Sequence, residues 1–173
     1  MDFQKTARTV LDVIQLKEPV MQAVAADPEA TKVAWAGVIL GALAVNLGLT
    51  FFPVQMGMIV YRPDLFWIVK ETILESVVML AGLYFAGFAA EKWFHSKLSM
   101  QGFVRVMGHA AFLGIASIIP FLSILGVWEL VVLWATCAKL GKMQTEALVI
   151  LIVALVVVEG VLTAVVRGGG FFY

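Results

Sequence analysis

Three glutamates interrupt stretches of sequence otherwise given over to apolar side chains: Glu75, Glu129 and Glu159. Asn46 interrupts a fourth. A carboxylate in hydrocarbon is costly, so such residues face an interior or a watery pocket and often mark a proton or ion path. Carboxylates brought close together can share a proton. The competing reading is structural pairing or packing in the protonated form. Lys70 lies five residues before Glu75, Glu71 lies four before it, and Arg62, Lys70 and Arg167 are the cations at that end of the spans. The two readings separate on geometry: a relay needs the acids at one site, and separate surfaces exclude it.

Other chemistry is sparse. Arg105 and His109 stand four apart on one helical face, and His95 lies in a loop. His109 reads as a buried hydrogen-bonding residue or as a proton carrier joined to the polar set. Two distant histidines with no acid at ligand spacing give no metal site. Ser117 is eight residues from His109, too far for a nucleophile–base pair. Hydrolase, zinc-protease and phosphate-loop motifs are absent. The expectation is therefore a non-enzymatic protein with no catalytic residue, cofactor or metal. One cysteine, Cys137, excludes an intramolecular disulfide; it reads as a packed thiol, with acylation as the alternative. Gly37, Gly41, Ala44 and Gly48 form a small-residue stripe. Such a stripe admits a close helix neighbour, within the chain or from another subunit.

The elements that must position these residues follow from composition. Of 173 residues, 62% are apolar and 14% charged, and twelve basic residues cancel twelve acidic ones. Mean hydropathy is +0.98. Soluble domains run near 45–50% apolar and about 25% charged, so this is an integral membrane protein, and a basic nucleic-acid binder is excluded. We expect an all-α membrane bundle. An amphipathic interfacial helix over 1–27 precedes five transmembrane helices at about 28–52, 66–90, 103–119, 124–140 and 146–166, with a short outer tail, 167–173. In the first segment Phe3, Ala7, Val10, Leu11 and Ile14 share one face and Asp2, Lys5, Arg8, Asp12 and Gln15 the other, the pattern of a helix lying in the interface. Pro19 is expected to end or kink this helix, and Asp27-Pro28-Glu29 to open the first span. The turn around Pro120 divides the middle region into two helices of about 16–19 residues, roughly 25–28 Å each, short unless the bilayer thins.

Charge placement supports five spans over four. With the N-terminus cytoplasmic, the inner side holds Lys5, Arg8, Lys17, Lys32, Lys92, Lys97, Arg105, Lys139 and Lys142, and the outer side Arg62, Lys70 and Arg167. That nine-to-three bias obeys the positive-inside rule and places the C-terminus outside. Glu75, Glu129, Glu159 and Asn46 then fall in the outer half, each roughly 8–14 Å below the surface at about 1.5 Å per residue.

Residues 103–112 (Phe-Val-Arg-Val-Met-Gly-His-Ala-Ala-Phe), the Ile118-Ile119-Pro120-Phe121-Leu122 turn, Gly126-Val127-Trp128 and Leu133-Trp134 resemble the second half of the Yip family of small polytopic membrane proteins. The resemblance spans about 28–166 and is nearest to the family's prokaryotic-type branch. It implies a five-span, N-in arrangement and a membrane-organising or accessory role rather than catalysis. The segment before the first span is short, ending near Asp27, so the Rab-binding role of eukaryotic members does not transfer. The first expectation is thus a scaffold or accessory subunit, its partners being the bilayer, other membrane subunits or a second copy. Its host is a prokaryotic inner membrane, with an organelle membrane as the alternative. The second expectation is a small channel or proton- or ion-coupled transport component using the intramembrane carboxylates.

Overall fold

The computed structural model describes residues 3–52, 54–56, 59–61 and 63–166. Asp2, Arg62, Arg167 and the tail lie outside the described residues.

The N-terminal segment is two helices, α1 (Phe3–Ile14) and α2 (Glu18–Ala26), not one. Leu16 adopts a left-handed backbone, φ 60°, and reverses the chain. Pro19 therefore does not end a helix. It sits in the first turn of α2, where its missing N–H has no partner to lose. Val10 and Val13 of α1 and Met21, Val24 and Ala25 of α2 are buried, while Phe3 and Leu11 face outward. The Trp128 indole Nε1 donates to the Ile14 carbonyl at 2.8 Å and ties the end of α1 to the bundle.

Asp27 organises the next start: its Oδ1 accepts from the Glu29 amide at 2.9 Å and its carbonyl from the Ala30 amide at 3.1 Å. From there α3 (Ala30–Phe51) runs the length of the molecule. Its small-residue stripe is spent inside the chain, against α5 (Met100–Ala110) and the 3-10 segment Ala111–Ile118 that continues it. A Cβ at Gly37 would collide with the Gly108 carbonyl, one at Gly41 would stand 2.7 Å from that of Ala111, and one at Gly48 2.9 Å from that of Ser117. The matched order shows α3 and residues 100–118 running side by side in the same direction.

Between them α4 (Leu65–Lys92) runs back, opened by Asp64, whose carboxylate accepts from the Trp67 amide at 2.7 Å. A small antiparallel hairpin, β1 (Val54–Met56) with β2 (Ile59–Tyr61), precedes it; every other element among the described residues is helical. The hairpin register pairs Val54 with Tyr61 and Met56 with Ile59. Past α5 the chain reverses at Ile119, the extended residue between two 3-10 segments. It returns through Pro120–Gly126, α6 (Val127–Ala135) and a wide turn at Thr136–Leu140, then leaves through α7 (Thr145–Val166). The core gathers Phe103, Val104 and Val106 of α5 with Val38, Leu83, Val132, Leu133 and Leu151.

Four helical stretches among the described residues are long and apolar enough to cross a membrane: Ala30–Phe51, Leu65–Lys92, Phe121–Leu140 and Thr145–Val166. Residues 100–118 form a further rod, part α and part 3-10.

Candidate functional site

Glu75, Glu129 and Glu159 come from three different helices, α4, α6 and α7, and all line one cavity of about 560 Å³. Its remaining walls are the middle of α3, residues 107–117, and apolar side chains such as Val45, Val78, Met79 and Leu133. No lysine, arginine or histidine lines it among the described residues.

Each acid is held differently. Glu75 Oε2 accepts a 2.9 Å hydrogen bond from Asn46 Nδ2, which also donates to the Ala42 carbonyl. Asn46 is itself buried, so the amide both satisfies its own helix and fixes the carboxylate across to α4. Glu159 lies against Gly82, where a Cβ would stand 2.7 Å from Oε1, so α7 meets α4 through this notch. Glu129 is in the first turn of α6, near enough to Glu159 for the two charges to interact. The reversal falls at Ile119, ten residues before Glu129. α7 packs chiefly along α4 and hardly touches α6.

Of the three cations expected to neutralise the acids, Arg62 and Arg167 lie outside the described residues and Lys70 goes elsewhere. Lys70 Nζ lies 3.6 Å from Glu71, a buried carboxylate outside the cavity lining. Ser117 and Thr163 add hydroxyls to the lining, and Gly82 adds the notch; the sequence reading weighed Ser117 only as a nucleophile and did not single out the other two. Gly82 stands seven residues after Glu75. That is two helical turns on the same face, and the spacing was the available signal.

His109 does not belong to this site, a correction to its grouping with the glutamates. Met107 and Ala111, two positions to either side of it, line the cavity. A step of two along a helix turns a side chain to the opposite side. His109 instead lines a second cavity with Asp27 and Lys32. Arg105, its neighbour, donates from Nη1 to the Ala25 carbonyl at 2.8 Å and from Nε to Thr31 Oγ1 at 2.9 Å, clamping α2 and α3 to α5. Gly37, Gly41, Ala44 and Gly48 form the packing face described above. Cys137 is buried.

Among the described residues no three His, Cys, Asp or Glu side chains are grouped tightly enough to hold one metal ion. No family model matches the chain, and neither the curated proteins nor the solved structures compared with it yield a match.

Proposed function

We propose that this chain is a small, non-enzymatic membrane protein that binds a cation within the bilayer as part of a proton- or ion-coupled transport process. The observation that carries it is the convergence of Glu75, Glu129 and Glu159 on one cavity whose described lining holds no cation. Like charges at short range in hydrocarbon need a proton or a bound cation between them. The walls are mostly apolar with a few polar groups. That character, and a volume of this order, are usual for small-molecule sites. The cargo this suits is an organic cation with an apolar body, exchanging with protons on the glutamates.

Five passes and an inner N-terminus accompany this reading. The fifth pass is residues 100–118, the α-helical part followed by the 3-10 part. At about 1.5 Å per α-helical residue and about 2.0 Å per 3-10 residue, the rod is roughly 32 Å long, enough for a hydrocarbon core of about 30 Å. The reading puts α1, whose Phe3 and Leu11 face outward, at the inner interface.

The membrane-organising role, in line with the Yip resemblance, is the second reading. It is favoured by α7, which packs mainly on α4 and turns Val149, Val153, Val156 and Val161 outward. The small-residue stripe no longer supports it, being occupied within the chain.

The test is binding and uptake of tetraphenylphosphonium by the purified protein in proteoliposomes. Wild type is expected to bind it and accumulate it against an imposed proton gradient, with E129Q and E159Q each losing at least about tenfold in affinity, the scale of one charge-assisted contact. Uptake no greater than in protein-free vesicles overturns the transport reading.

A further inference from the structure

A second cavity, of about 440 Å³, lies between α1 and the start of α3. Its lining includes Lys5 and Thr9 of α1, Asp27 and Glu29 of the α2–α3 turn, Lys32 of α3 and His109 of α5. His109 is 2% exposed. Its Nδ1 lies 2.7 Å from the Arg105 carbonyl. A carbonyl only accepts, so Nδ1 carries the hydrogen. Nε2 is then a lone pair with no hydrogen-bond partner among the described residues, and with Nδ1 turned back onto its own helix the other ring edge is the one that reaches the cavity. An acceptor that reaches a cavity in this way can take an N–H donor from a ligand.

The rest of the lining narrows the donor. Two lysines and two carboxylates sum to zero charge, with Lys32 and Glu29 paired at 2.7 Å and exposed enough to re-pair, which suits neither a bare anion nor a bare cation but a group carrying both signs. The cavity sits at the first turn of α3, where a long apolar helix begins. The start of such a span is the level of lipid headgroups. We propose that the cavity seats the phosphoethanolamine headgroup of a phosphatidylethanolamine lipid. Lys5 and Lys32 face the phosphate; Asp27, Glu29 and His109 Nε2 accept from the ammonium. The same chemistry occurs in soluble phosphoethanolamine compounds, and the apolar surroundings select the lipid.

Native mass spectrometry of the full-length protein in detergent, titrated with dioleoyl lipids, tests this. The series runs from phosphatidylethanolamine through its mono- and dimethyl forms to phosphatidylcholine, which has no N–H left to give. Affinity is expected to fall about tenfold across the series, the worth of one hydrogen bond to a charged group. H109F is expected to flatten it. Equal affinity for the first and last lipids in wild type overturns the proposal and needs no variant to fold. A series that persists in H109F removes the histidine from it. Glycerophosphoethanolamine displacing the lipid at matched concentration overturns the lipid as ligand in favour of a solute.

Discussion

Glu159 keeps its place beside α4 because position 82 has no side chain. Adding one, in G82A, puts a Cβ 2.7 Å from Oε1, and the carboxylate must move. The expected outcome is a loss of tetraphenylphosphonium affinity approaching that of E159Q, with little change in stability, because the displaced atoms belong to a flexible side chain. Gly160, one residue from the acid, is the control. A Cβ there meets nothing within 4 Å. G160A should therefore leave affinity unchanged and stabilise α7 by about 0.5–1 kcal/mol. Thermal melting and binding on the same samples check both, and equal effects of the two variants would sink the notch argument. Asn46 gives a further comparison. N46L removes the amide that bridges α3 to Glu75. A loss of about 1 kcal/mol is expected, the order found for polar contacts between membrane helices. The three glutamates and Asn46 were legible in the sequence because a polar group stands out in an apolar run. Their meeting at one cavity was not legible, since it depends on the phase of three separate helices. His109 shows the same limit: its type was plain, but its facing away from the acids needed the rotation of α5.

At the scale of elements, spans were easy to see and their internal geometry was not. Residues 103–119 read as a short helix needing a thinned bilayer. In the structure the helix begins earlier, at Met100, and its second part winds as a 3-10 helix, which rises further per residue. Its closeness to α3 depends on glycine meeting glycine, where a Cβ at Gly114 would stand 2.9 Å from the Gly41 Cα, a fact about two segments that neither contains alone. Pro19 misled because a proline both ends helices and opens them. The left-handed Leu16 decided which, and no glycine or asparagine announced it. α1 is joined to α6 by the Trp128–Ile14 hydrogen bond. W128F keeps an aromatic ring and removes the donor. One such bond is worth about 1 kcal/mol, so opening of α1 should become about fivefold more frequent. Limited proteolysis between Gln15 and Lys17 measures it, and an unchanged cleavage rate would show that Val10 and Val13 hold α1 without help from the indole.

For the molecule as a whole, direction is the property that joins charge to fold. The net charge of zero is the sum of an excess of cations expected inside and acids drawn into the bundle. Charge bias favours five passes over four only through Lys139 and Lys142, which change sides between the two. The packing of α3 bears on that choice. Gly37, Gly41 and Gly48 meet residues 108, 111 and 117 in the same order, so α3 and the 100–118 rod point the same way, with α4 running back between them. A bundle with that order changes direction after α3, after α4, at Ile119 and again before α7. If each of these runs crosses the bilayer, the chain ends opposite to where it began. Fusions after Tyr173 test this: alkaline phosphatase, active only outside, should work there, and green fluorescent protein, which fluoresces inside, should stay dark. The reverse pair of results would place the C-terminus on the cytoplasmic side. The 100–118 rod would then have to end within the membrane as a re-entrant arm with its reversal at Ile119 buried in protein, since free backbone groups at that depth have no water to meet.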